Sequence, residues 1–305
     1  MDQTKAPTLS LPQLQNLCKR DPSAHRSDYD AQVMRLESEC GILALSGHTS
    51  RHTKLCELIQ FVAAVSSSCY VSDGEARMRA VYFMEMLQNE AIIRGGNSVL
   101  KEVRRSFVSA LILIRNKCGS KTFCSNQTQK KVVVLDPLEL LELFFNIMSQ
   151  LSSVGSATAA DKSLRETIHR HIVNDIRNVN KNGHDQKLNR RIQAFMHRIV
   201  SGVTLEGKSS TNEAAARRCV EMLVELYRRN VWTDERTVQI LATAASCPIT
   251  SIMTRAVKFF LGIEDRMEMD ASRRKGEEIN RIDVDFHLYS KKTKVSSISQ
   301  DIKGD

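Results

Sequence analysis

Apolar residues recur at three- and four-residue spacing along most of this chain, the period of an amphipathic helix. Leu11, Leu14, Leu17 and Cys18 open the series behind Ser10, a residue suited to cap a helix, with Pro12 tolerated in its first turn. Asp21 and Pro22 repeat that device before Tyr29, Val33, Leu36 and Cys40, and Gly41 suits the end of the second helix. Further stripes lie at Leu55, Leu58, Ile59 and Val62, at Val81, Met84 and Leu87, and at Val99, Val103, Phe107, Leu111 and Ile114. The last runs into Arg115, Asn116 and Lys117, where cations favour a helix C-terminus. Asp136 and Pro137 then introduce Leu138, Leu141, Phe144, Phe145 and Met148. In the second half the stripes are Leu164, Ile168, Ile172 and Ile176, then Leu188, Ile192, Phe195, Met196 and Ile199. After a polar break at 201–212 come Ala215, Cys219, Met222, Leu223 and Leu226, then Val238, Leu241 and Ala245, then Ile252, Val257 and Phe260. The pattern predicts about ten helices joined by short links.

Helix pairs recurring at roughly 40 residues match the period of HEAT and armadillo units. The expected fold is therefore all-α, a HEAT/armadillo-like helical solenoid over residues 1–264, with a compact irregular helical bundle as the competing arrangement. Residues 118–135 read as a polar, lysine-bearing loop and 149–160 as a Ser/Ala/Gly-rich link. Beyond Gly262 the apolar period is lost among RRKGEE and SKKTK, so 265–305 are expected to form a flexible, charged tail.

Composition sharpens this picture. With 13 glycines and 5 prolines in 305 residues, a fold with many tight strand connections is disfavoured. Eight cysteines are scattered, and no second pair at zinc spacing answers Cys118 and Cys124, so reduced thiols are expected in place of a metal or disulfide framework. Pro7 and Pro12 stand among polar residues where a secretory signal would carry a charged start and an apolar core. Apolar runs such as 110–114 are far shorter than the ~20 residues that span a bilayer. The expectation is a soluble intracellular protein with no membrane partner.

Catalytic patterns are missing. His169 and His171 flank Arg170, and an i, i+2 pair on a helix points to different faces, which favours structural or surface roles over chelation. Asp28 and Asp30 are separated in the same way, and the Gly95–Gly96 pair reads as a turn. There is no phosphate-cradling glycine loop, no GxSxG and no HExxH. No enzymatic activity, cofactor, metal or small-molecule substrate is expected.

Charge is more informative. The chain carries 44 Lys and Arg against 35 Asp and Glu, a net +9, which favours acidic partners. Between residues 162 and 198 nine cations face three acids. Arg170, Arg177 and Lys181 fall on one helix face opposite Ile168, Ile172 and Ile176, and Lys187, Arg190 and Arg191 follow across the next turn. Such a strip suits phosphates, with salt-sensitive and sequence-tolerant binding, and it equally fits an ordinary solvated face. Aromatic residues that would stack single-stranded bases are lacking there. In ELYRRNVWTDERTV the only tryptophan, Trp232, suits a wedge between helices, with Thr233 or Asp234 capping the next. Arg228 and Arg229 either compensate helix-end carbonyls or meet an acidic partner.

These segments also resemble a known set. LPQLQN (11–16) with KRDP (19–22), ALILIRNK (110–117), LELFF (141–145), HIVNDIRNVN (171–180), KLNR (187–190), ELYRRNVW (225–232) and KFFLG (258–262) stand in the order found in the Sda (severe depolymerisation of actin) family. The resemblance covers residues ~10–262, the N-terminal part of proteins that are considerably longer. It implies a HEAT-type scaffold of the nucleus and nucleolus, without enzymatic activity. It further implies a role in assembly and export of the large ribosomal subunit, with pre-ribosomal particles, rRNA and assembly proteins as partners, and a link to actin organisation. On that footing Arg177, Lys181, Lys187, Arg190 and Arg191 are the first candidate contacts, with Arg228 and Arg229 second. A cytoplasmic adaptor for the actin cytoskeleton or vesicle transport, built on the same solenoid, is the rival expectation.

Overall fold

The computed structural model describes residues 9–46, 52–94, 98–119, 122–124, 131–153, 159–181, 183, 185–206 and 213–263. The expected tail at 265–305 and the Gly95–Gly96 turn lie outside the described residues. Helices dominate in chain order. The first half holds α1 (Leu11–Arg20), α2 (Arg26–Ser46), α3 (His52–Cys69), α4 (Glu75–Gln88), α5 (Glu90–Arg94), α6 (Ser98–Cys118) and α7 (Pro137–Ser153). The second holds α8 (Ala159–Val179), α9 (Gln186–Glu206), α10 (Glu213–Arg228), α11 (Glu235–Ala245) and α12 (Thr250–Phe260).

Local chemistry explains most boundaries. Ser10 and Gln13 form the reciprocal capping box of α1, with Pro12 in its first turn. Asp136 accepts the Leu138 N–H at 2.9 Å to start α7. Four expected boundaries move. Asp21 caps a turn, not a helix: its carboxylate accepts from the Ser23 hydroxyl at 2.7 Å and the Ala24 N–H at 3.0 Å, so α2 begins four residues past Pro22, at Arg26. Gly41 does not end α2, because Leu43 continues the buried line of Leu36 and Cys40 and that packing outweighs the ~1 kcal/mol helix penalty of glycine. Likewise α7 reaches Ser153 and α9 reaches Glu206, each extending into a stretch expected to be a link.

The segment 118–135 also differs from the expected loop. Gly119 turns the chain out of α6 at φ +52°, and β1 (Thr122–Cys124) pairs antiparallel with β2 (Lys131–Val133), Thr122 opposite Val133. The β-branched Val132 and Val133 favour extended backbone. Val134 and Leu135, directly after, are fully buried and return the chain to the core. These are the only strands among the described residues, a hairpin between two helices.

Stacking is sequential. α3 packs on α1, α2, α4 and most extensively α6, α6 in turn packs on α8, and α10 packs on α7, α8, α9, α11 and α12. Helices α1–α3 share no substantial contact with α8–α12. A compact bundle would bring distant helices together around one centre; a progression of near neighbours is the solenoid. At the N-terminal end, buried Glu75 ties the layers, accepting from the Tyr29 hydroxyl at 3.1 Å and lying 2.9 Å from Arg79 Nε and 3.4 Å from Arg26 Nη2. The Arg26 guanidinium also sits 4.6 Å over the Tyr70 ring.

Candidate functional site

Helix α8 has two opposed faces. Ile168, Ile172 and Ile176 are buried, while Arg170, Asn174, Arg177 and Asn178 point outward. Arg115 on α6 fixes how α8 lies. Its guanidinium is 2% exposed; Nε donates to both Asp175 carboxylate oxygens at 3.0 Å, and Nη1 donates to the carbonyls of Gly119 at 2.8 Å and Leu135 at 3.2 Å. Arg115 is thus more than a cation at a helix end: it joins α6, the start of the hairpin segment, the approach to α7, and α8. Between α6 and α8 lies an open groove of about 640 Å³ with Arg115, Asn116, Arg170, His171, Asn174 and Arg177 in its walls. ALILIRNK and HIVNDIRNVN, two of the segments that carry the resemblance, form its opposite sides.

The turn from α8 to α9 is clamped by Asn180 and Asn189, whose side-chain amides exchange hydrogen bonds at 2.7 and 3.0 Å. Asp185 caps α9 by accepting the Leu188 N–H at 3.0 Å. Lys181 and Arg190, each beside a clamped asparagine, are therefore held at one corner, with Lys187 on the first turn of α9 and Arg177 one turn back along α8. All four are exposed, and none forms an ion pair with a described residue. Arg191, the fifth residue of the expected strip, instead reaches back to Asp136 at 3.2 Å.

Arg228 and Arg229 do not join this corner. Arg229 lies 2.6 Å from Glu225, and both arginines border a second cavity of about 420 Å³ between α8, α10 and α12. Arg218 and Arg255 border it too. Sequence reasoning missed Arg255 and Asn116 because their neighbours here come from other helices; Arg218 it missed although the spacing to Glu221 and Arg228 on α10 places all three on one face. Trp232 is core, 3% exposed, and its indole N–H meets no acceptor among the described residues. It lies beside Asn189, Arg190 and Gln193 at a third cavity of about 370 Å³, where KLNR meets ELYRRNVW. Asp234 caps α11 by accepting the Thr237 N–H, and Gln193 Nε2 donates to both of its oxygens at 2.9 and 3.0 Å. Burial alone would raise the Asp234 carboxyl; the bonds from Thr237 and Gln193 hold it below the usual range.

The two histidines take structural positions. His169 Nε2 is 2.7 Å from Glu225 Oε2, and His171 meets the edge of the Phe144 ring. Among the described residues no three His, Cys, Asp or Glu side chains gather as a metal site, and Cys118 is buried with its thiol against the Ser67 carbonyl. No helix among them is long and apolar enough to cross a membrane.

A family model described as "SDA1, HEAT repeat" matches residues 61–303. The chain belongs to the SDA1 HEAT-repeat family. An SDA1 homologue of Drosophila melanogaster is 31% identical over 260 residues, covering 85% of this chain and 31% of its own length. The SDA1 homologue of Xenopus tropicalis is 32% identical over 267 residues, with 87% and 32% covered, and the sda1 protein of Schizosaccharomyces pombe is 26% identical over 286 residues, with 90% and 35% covered. The chain thus spans about a third of the length of these SDA1 relatives. Family membership agrees with the resemblance read from the sequence and with the sequential helical stacking.

Proposed function

We propose that this chain is a non-catalytic scaffold of large ribosomal subunit biogenesis, acting in the nucleus and nucleolus and supporting export of pre-ribosomal particles. It binds those particles, through rRNA or acidic assembly proteins, at the corner between α8 and α9. The observation that supports the reading is that Arg177, Lys181, Lys187 and Arg190, on the end of α8 and the start of α9 either side of the Asn180–Asn189 clamp, are exposed and without carboxylate partners among the described residues. Four solvated cations near the Asn180–Asn189 clamp can neutralise phosphates and so release the counterions condensed on a nucleic acid. Membership of the SDA1 family supports the choice of partner.

The test is co-sedimentation of the Arg177→Glu/Lys181→Glu/Arg190→Glu variant with pre-ribosomal particles in low salt. Association should fall while thermal unfolding stays near that of the unaltered chain, since all three side chains are exposed. Unchanged co-sedimentation would remove the proposal. Cytoplasmic localisation with RNase-insensitive partner binding would favour an adaptor on the cytoskeleton or on vesicles.

A further inference from the structure

The open groove of about 640 Å³ between α6 and α8 presents carboxamides beside its charges. Asn116 stands on α6 and Asn174 and Asn178 on α8; all three are exposed, and their side chains hydrogen-bond to no described residue. Asn180 and Asn189, just beyond, are by contrast spent on each other. Asp175, the one carboxylate lining the groove among the described residues, is held through both oxygens by Arg115 at 3.0 Å. Arg170 and Arg177 are left as its exposed cations. Arg177 pairs with no described carboxylate, and Arg170 meets Glu166 at 3.6 Å in an exposed pair that water weakens. The stretch 119–131 that follows α6 carries Lys121, Lys130 and Lys131 and no acid. The groove therefore combines idle amides with uncompensated positive charge.

We propose that this groove binds an extended acidic segment of a partner protein, Asn116, Asn174 and Asn178 pairing with its main chain and Arg170 and Arg177 with its carboxylates. A peptide unit offers one N–H and one C=O, and a carboxamide holds the complement of both in one group. Asn174 and Asn178 stand about one helical turn apart, about 6 Å along α8. In an extended chain the N–H and C=O groups on one edge recur every second residue, at about 6.6 Å. Successive carboxamides thus meet successive peptide edges with little drift. From Thr167 to Asn178 the α8 wall is about 16 Å long, room for about five extended residues. A phosphate offers acceptors alone, which leaves each carboxamide oxygen idle and favours a peptide over an RNA backbone. The inference rests on the reading of the chain as a binding scaffold and gives an acidic protein partner its own groove; only Arg177 is shared with the α8–α9 corner.

The experiment is fluorescence anisotropy on the full chain with four probes. They are a pool of short peptides with Asp or Glu at alternate positions and degenerate elsewhere, the same pool with Asn or Gln at those positions, the acidic pool with its peptide nitrogens methylated, and a single-stranded RNA oligonucleotide. Main-chain recognition tolerates any sequence between the acids, so a pool suffices. The acidic pool should bind about tenfold more tightly than the amide pool. Methylation removes the N–H donors at unchanged charge and should weaken the acidic pool about tenfold. Asn174→Ala/Asn178→Ala should cost about as much, whereas Lys181→Gln/Arg190→Gln should leave the acidic pool within about twofold. Glu166→Gln should tighten it about twofold or more by releasing Arg170 and removing a like charge, a gain that misfolding cannot produce. Equal affinity of the acidic and amide pools, indifference to methylation, an unchanged asparagine variant or a weaker Glu166→Gln complex would overturn the proposal. So would RNA affinity that falls with the asparagine variant and not with Lys181→Gln/Arg190→Gln, which would put RNA in the groove. Unchanged co-sedimentation of the corner variant, by contrast, bears on the scaffold reading and leaves these peptide affinities as they are.

Discussion

At the residue scale, two buried polar side chains carry much of the consequence. Arg115→Met would strip Asp175 of its partner and free two carbonyls, and removing one member of a buried pair costs about 3–5 kcal/mol. Because Asp175 keeps some access to water, with 17% of its side chain exposed, the lower end is expected, read as a shift in the urea midpoint. His171 responds to acid. Burial lowers its pKa from the ordinary 6.5, outweighing Asp175, and Arg115 pushes in the same direction. The unfolded chain therefore takes up this proton at higher pH than the folded one, so the stabilising difference is complete above pH 6.5 and is lost as pH falls below it. Urea midpoints at about pH 7.5 and about pH 5.5 should converge more closely for His171→Gln than for the unaltered chain; parallel declines would show that His171 plays no part. Neither residue's role was legible locally. Arg115 occupies a position where any cation is favourable, and His171 one where a solvated histidine fits equally well; what decides both is a neighbouring helix.

At the element scale, periodicity located most helices because each buries one stripe. Caps were legible where the capping side chain bonds its own helix, as at Ser10, Asp136 and Asp234. They misled where the side chain bonds a turn, as at Asp21. The five-residue α5 and the β1–β2 hairpin escaped notice because segments this short hold too few positions to show a period. Trp232, in the link from α10 to α11, is buried beside α9, and Trp232→Ala should cost about 3–5 kcal/mol by opening a core cavity. Equilibrium unfolding checks this, and a loss below about 1 kcal/mol would place the ring outside the core.

For the whole molecule, charge and stacking set the behaviour. If the α8–α9 corner binds nucleic acid with its four cations, unpaired among the described residues, log affinity for single-stranded RNA should fall against log salt with a slope of about −3, at roughly 0.7 per phosphate contacted. The charge-reversed corner variant should flatten that slope; a slope near zero in the unaltered chain would point to a protein partner. The amino-acid sequence by itself determined that this chain is helical, where most helices lie, which residues form its core and that its surface is basic, since each follows from short-range spacing and composition. Tertiary structure alone decided that the helices stack in succession, that the expected basic strip divides between a corner at α8–α9 and a pair with Asp136 while Arg228 and Arg229 border a separate cavity, and that Arg115 is a buried tie. Those outcomes depend on which helix faces meet across tens of residues, and a side chain's partner across such a distance leaves no periodic trace in the chain.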